Sequence, residues 1–394
     1  MENNKIIQIN SLNDYIRNIE LLHLDNFISR GESKQNDRII ASAFRDKNPI
    51  NFQGMIQEYF NTIGNNLTDM QRENFIAFSQ HHGIPTNLID FSHSPLISLF
   101  FACHGAHNIN EEGYVYFVDK KRIISINEIM NENIYTKNIL LDLTNFEQYL
   151  LPILIGLYKF EHENIDEIEK LIIFYAEMLR KNETLKSKYQ KFFVMINSFK
   201  ESLEKQTLQY EALDKFSESL LEEIIQANEI DAGETSDFIF YKEDKELYWK
   251  LISEARFYTQ YRYFDDILLL LVILKSVFGE LCDFSLHSYI DVDMTFPFYF
   301  TYTPPNIIKR IENQSSLFIY QLYYDSSLRD FYIDPIEKRI IQNIVPDYKF
   351  IINNKKDVLK DLDLLGINLK YIYNDYDSIA KHIRSKKEYF QVNK

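Results

Sequence analysis

The chain has 394 residues, 45% of them hydrophobic, and a formal net charge of −15. That composition supports a sizeable core, and an acidic chain repels nucleic-acid phosphates at long range, so general DNA or RNA binding is disfavoured. Two cysteines do not make a disulfide framework, no signal-peptide pattern opens the chain, and the strongest apolar run (residues 267–274) falls short of the roughly 20 residues a membrane helix needs, so a reducing, cytoplasmic setting without membrane insertion is expected.

Residues 5–9 alternate and read as a short strand. Ser11 then caps a helix in which Leu12, Tyr15 and Ile16 share a face. The segment 26–29 leads into Arg30-Gly31-Glu32. Residues 51–82 read as one long helix or two, with Phe52, Met55, Ile56, Tyr59 and Phe60 on one stripe and a break at Gly64-Asn65-Asn66. Pro95 fits the first position of a helix capped by Ser92 or Ser94. GYVYFVD, residues 113–119, is the clearest strand in the chain, and 121–126 suggests another. Between Gly156 and Gly233 there is no Gly or Pro, and Glu, Lys and Leu recur at helical spacing. The helical pattern resumes from 243 to about 284. From 288 onward aromatic β-type runs are interrupted by Pro297, Pro304 and Pro305. The end reads as helix, a turn at Gly366, a short strand around Tyr371, then helix. The expected fold is α+β, a small mixed or antiparallel sheet flanked by helices. Its halves are residues 1–155 and 288–394, separated by a helical insertion at 156–287.

The densest chemistry lies in QHHGIPTNLIDFSHSPLISLFFAC, residues 80–103. A polar cluster with two histidines and an aspartate runs straight into an apolar helix, a pattern that suits a site at the mouth of a packed element. His81 near Asp90 can act in acid–base chemistry or orient a hydroxyl, or the cluster can be an interior network holding the Gly83–Thr86 turn. Arg30 offers a planar fork for a phosphate or carboxylate, and Gly31 permits close backbone approach; a structural salt bridge is the alternative for Arg30. Glu32 lies beside them, and Glu312 and Gln314 precede another apolar run. His81, His82, His93, Cys103, His104 and His107 lack the repeated spacing of a zinc site, so no metal is assigned. Walker, Rossmann, HExxH, GxSxG and CxxC patterns are absent.

Arg30-Gly31-Glu32-Ser33, Phe44-Arg45 and the segment Gln80 to Ser92 together resemble the FRG domain family, whose signature is of the type QHxGxPTRLLDW followed by Ser-Pro and an apolar helix. Arg310 and Gln314 before Phe318, and the stretch from Lys355 through Gly366-Ile367 to Asp375-Tyr376-Asp377, resemble the family's later blocks. The resemblance covers about 1–120 and 290–385. Ser29 departs from the usual aromatic, Asn87 from the usual arginine and Phe91 from the usual tryptophan, and the change at Asn87 removes an anion contact.

The order of these motifs is similar to that of ADP-ribosyltransferase-like folds. That layout implies NAD as substrate, in an ADP-ribosyltransferase or NAD-cleaving effector of bacterial toxin or phage-defence systems. Arg30 and Gly31 would then hold the diphosphate. Gln80, His81, Thr86 and Ser92 would support the ribose, with Asp90 orienting His81. Glu32 or Glu312, with Gln314, would face the cationic transition state. Two other readings stand beside it: a non-catalytic ligand-sensing or interaction module whose helical insertion binds a protein partner, and a metal-dependent nuclease or phosphatase.

Overall fold

The structure is a computed structural model and describes residues 5–45, 50–105, 111–125, 127, 299–305, 309–325 and 339–392. The expected helical insertion and the apolar run 267–274 lie outside the described residues. The chain divides into two compact units, one of residues 1–141, 298–322 and 341–394, the other of 142–297 and 323–340. The first carries the candidate site.

Among the described residues eight strands form one mixed sheet. They are β1 (Lys5–Ile9), β2 (Phe27–Glu32), β3 (Leu88–Ser92), β4 (Gly113–Asp119), β5 (Ile123–Ser125), β6 (Tyr299–Tyr302), β7 (Ser316–Tyr320) and β10 (Tyr348–Ile352). Their spatial order is β1-β10-β4-β2-β3-β7-β6-β5. The outer pairs β1/β10 and β5/β6 are parallel, and the inner pairs are antiparallel. Two short strands, β8 (Tyr323–Asp325) and β9 (Arg339–Ile341), pair separately. The fold is α+β, with a wider sheet than its few strong strand patterns suggest.

Among the described residues the α-helices are α1 (Leu12–Leu21), α2 (Phe52–Ile63), α3 (Asp69–Glu73), α4 (Phe75–His81), α5 (Pro95–Cys103), α6 (Lys309–Asn313), α7 (Lys355–Leu364), α8 (Leu369–Tyr373) and α9 (Tyr376–Val392). Ser11 caps α1 by accepting from the Asp14 N–H. Leu12 and Tyr15 enter the core, but Ile16 stays 38% exposed. The 51–82 stretch is three helices. Thr68 and Gln71 form a capping box that starts α3 afresh. Met55 is exposed and lies off the buried stripe. Residues 369–373 form a helix and not the expected strand. Asn368 caps it through the Tyr371 N–H, and Asn374 ends it in the left-handed region.

One core joins the faces of α1, α5, α7 and α8 to β1, β4 and β10, with Tyr15, Leu99, Phe117, Phe350 and Leu362 at its centre. Helix α5 is apolar on nearly all sides because it is buried on nearly all sides. It lies directly on the sheet backbone. A Cβ at Gly31 would sit 1.8 Å from the Ser98 carbonyl oxygen, and one at Gly113 would sit 2.2 Å from that of Ala102. The close approach that Gly31 permits is therefore made by α5. Pro95 holds the first helical position of α5, as expected, but the Ser94 hydroxyl makes no cap bond. The Ser92 hydroxyl instead accepts from the Ser94 N–H at 3.0 Å.

No helix among the described residues is long and apolar enough to cross a membrane.

Candidate functional site

The sheet is nearly divided in the middle. Strand β2 pairs with β4 from Phe27↔Asp119 to Glu32↔Tyr114, and β3 pairs with β7 along its whole length. Between β2 and β3 a single register pair, Ser29↔Ser92, joins the two halves. Beyond it no register pair joins the two strands, and Arg30 bridges this opening in the sheet's pairing. Its Nη1 donates to the Asp90 carbonyl at 2.7 Å and lies 3.9 Å from the Asp90 carboxylate. Its Nε donates to Glu32 at 2.9 Å. The second Glu32 oxygen accepts from Asn36 at 2.8 Å. Glu32 is buried, so this pair fixes the guanidinium from behind.

Asp90 behaves differently. Its side chain is 64% exposed and faces the opening. A chain of hydrogen bonds sets it there. The Leu88 N–H donates to the Thr86 hydroxyl, whose own proton goes to the Gln80 carbonyl oxygen. The Gln80 amide nitrogen is thereby turned toward Asp90, to which it donates at 3.1 Å. Thr86 is fully buried, so the chain begins on a rigid point.

Thr86 also places a second arginine. Its carbonyl accepts from the Ala43 N–H and the Ser42 hydroxyl, and its N–H donates back to Ser42. This clasp holds the turn Ser42–Phe44, with Phe44 anchored edge-on against Phe52. Arg45 follows and stays exposed. Crowding by protein atoms and then the nearby Arg30 charge draw its pKa down, while Glu32 and Asp90 oppose the shift. Its Nε donates to the Ile40 carbonyl at 3.3 Å, and it makes no ion pair among the described residues.

The other end of the cluster is aromatic. His81 closes α4, and its pKa is lowered to about 4, chiefly by burial and further by Arg310 and His82; Asp375 opposes this. The Arg310 guanidinium lies over the Tyr373 ring at 4.7 Å. Burial raises the Tyr373 pKa, with Asp375 and Asp90 adding and Arg310 opposing. Asp90 thus lies within electrostatic reach of both ends.

Residues 25–111 match the family model of the FRG domain. The chain carries an FRG domain. No curated protein and no solved structure matches the chain. The matched span of the FRG domain holds Arg30, Arg45, Gln80, His81, Thr86 and Asp90. Arg310, Tyr373 and Asp375 come from beyond it and complete the cluster.

Most of the remaining residues singled out in the sequence are buried or packed around the cluster. Ser92 is buried and donates to the Gln314 carbonyl at 2.7 Å. Gln314 is buried too, and its amide reaches the Ile372 carbonyl at 3.5 Å. Together they tie β3, α6 and α8. Glu312 is exposed on α6; of the two glutamates, Glu32 is the one that touches Arg30. Asn87 is fully buried and donates to the Gln321 carbonyl, so this position faces the interior and not an anion. His82 packs on Phe78, and His104 stacks on Phe100. Among the described residues no group of three or more His, Cys, Asp or Glu is placed to hold a metal ion.

Arg45, Arg310, Tyr373 and Asp375 are the cluster members that the sequence does not assign to the site. All four stand in the blocks quoted for the resemblance, and that was the available signal. Their convergence depends on a clasp at Thr86 and on the packing of α6 against α8.

Proposed function

We propose that this FRG-domain chain binds NAD in the opening between β2 and β3 and cleaves its nicotinamide–ribose bond. The observation that carries the reading is the convergence of two arginines and one exposed, oriented carboxylate at the point where the sheet parts. Arg30, fixed by Glu32, and Arg45, with donors to spare, suit a diphosphate. Asp90 suits the positive charge that develops on the ribose as the bond breaks. Glu32, with both oxygens engaged, positions Arg30. His81 is neutral and can hydrogen-bond a ribose hydroxyl. Gln80, Thr86 and Ser92 act by holding their neighbours.

In this mechanism the C1′–N bond breaks with its electron pair passing to nicotinamide, which leaves neutral. Water or a protein nucleophile then bonds to C1′ and releases a proton. Such consumption of NAD in the cytosol fits an effector in toxin or phage defence, and we assign the segment 156–287 to a protein partner. Incubation with NAD tests the reading: nicotinamide is released by the wild type and lost with Asp90→Asn. Absence of release from free NAD, together with no ADP-ribosylated protein in lysate, would sink it.

A second reading, a non-catalytic ligand-sensing module, draws on the fact that Thr86, Gln80, Asp90, Arg30 and Glu32 already satisfy one another. Full biological activity of a stably folded His81→Ala variant favours that reading.

A further inference from the structure

The cluster has two unlike ends. At one, Arg30, Glu32 and Arg45 are charged and closely coupled. At the other stand a planar guanidinium, a phenol and a neutral imidazole: Arg310, Tyr373 and His81. Asp90 lies between them.

The second end is built. Three residues of α8 are held by α6 and the residue after it. The Asn313 amide donates to the Tyr371 carbonyl at 2.6 Å, the Gln314 amide to the Ile372 carbonyl, and Arg310 covers Tyr373. Phe101 meets the Tyr373 ring edge-on from α5 at 6.4 Å. Asp375 is engaged by the Ser378 N–H and hydroxyl at the start of α9, which holds its pKa down and keeps it charged. Arg310 makes no ion pair among the described residues. A salt-bridging arginine would face a carboxylate; this one sits over a ring, 4.7 Å from its centroid, and its guanidinium donates no hydrogen bond among the described residues. A guanidinium in that posture presents a flat, weakly hydrated face to another flat group.

We infer that the Arg310–Tyr373 stack is the base-reading subsite of the opening, so that the ligand class is a nucleotide, with its phosphates at Arg30 and Arg45 and its base on Arg310. This rests on the NAD reading and adds to it a specificity-determining pair from outside the FRG-domain match. The relevant property of Arg310 is its planarity and not its charge. Lysine keeps the charge and loses the plane.

The test is a binding titration of carba-NAD, whose nicotinamide cannot be released, and of inorganic pyrophosphate against the wild type, Arg310→Lys and Tyr373→Leu, with melting temperatures to confirm folding. Carba-NAD affinity should fall about tenfold in both variants, the scale of a lost stacking partner. Pyrophosphate affinity should change less than about twofold, since its contacts lie at the other end. Unchanged carba-NAD affinity in Arg310→Lys would overturn the inference and leave the NAD reading standing. Equal losses for both ligands would make Arg310 a simple anion contact and overturn it as well. If the wild type binds neither ligand, the NAD reading itself fails.

Discussion

Ser29 and Ser92 form the one register pair that holds β2 against β3. The Ser29 hydroxyl turns toward α5 and bonds Ser98 at 2.9 Å, while that of Ser92 reaches the Gln314 carbonyl. The sheet is thus closed at one point by two small buried residues. Arg30 and Asp90 stand just past that point, where the register pairing ends.

Thr86 sets the geometry of this opening although it is fully buried. Replacing it with valine keeps the shape and removes the hydroxyl. The Leu88 N–H and the Gln80 carbonyl oxygen then lose their partner, a loss of about 1–3 kcal/mol in denaturant unfolding. Thr86→Ser should recover most of it. Equal stability of the valine variant would contradict the hydrogen-bond chain.

Gly31→Ala separates a packing role from ligand approach. The added methyl meets the Ser98 carbonyl, part of a helix backbone that has no free space to retreat into. The expected loss is about 3 kcal/mol or more, visible as a lower melting temperature without any ligand present. A variant that melts like the wild type would show that α5 does not lie as close as described.

His81 carries the pH dependence. Its value is 6.5 in an unfolded chain and about 4 in the fold. Between those values the unfolded chain takes up a proton that the native protein refuses. The contribution of His81 to stability is therefore full above about pH 6.5 and is lost as pH falls toward 4. Ligand binding that uses neutral His81 should stay flat from pH 8 to 5. A His81 imidazole resonance titrating near 6.5 in the folded protein, assigned by its loss in His81→Ala, would refute this.

Cys103 should be inert. Burial pushes its thiol up to about 12, with Lys355 opposing. Alkylation at neutral pH, followed at the Cys103 peptide by mass spectrometry, should proceed only after unfolding. Rapid labelling of the native protein would count against the packing of α5.

Much of the frame was legible because its residues state a period or a cap. GYVYFVD reads as a buried strand, Ser11 as a helix start and Pro95 as a first helical residue. Residues 369–373 misled because Tyr-Ile-Tyr is β-like in composition, yet Asn368 caps and α6 packing decide the segment. Strand β3 was hidden, since its five residues sit between polar motifs and show no alternation.

The candidate cluster was legible at Arg30, Gln80, His81 and Asp90, which are close in the motifs. Their functions within it were not. Thr86 and Ser92 look like ligand contacts in a polar string and prove to be buried supports. Arg45 and Arg310 could not be placed, because a guanidinium's partner depends on turns and helices packed from distant parts of the chain.

The central claim is that the opening between β2 and β3 takes an anionic nucleotide through its arginines. Calorimetric titration of ADP-ribose into the wild type and Arg45→Gln tests it most directly. Arg45 makes no ion pair among the described residues, so its loss should leave the fold intact. The account predicts saturable binding to the wild type and at least about tenfold weaker binding to the variant. No saturable binding to the wild type, or equal affinity of a folded Arg45→Gln protein, would contradict it.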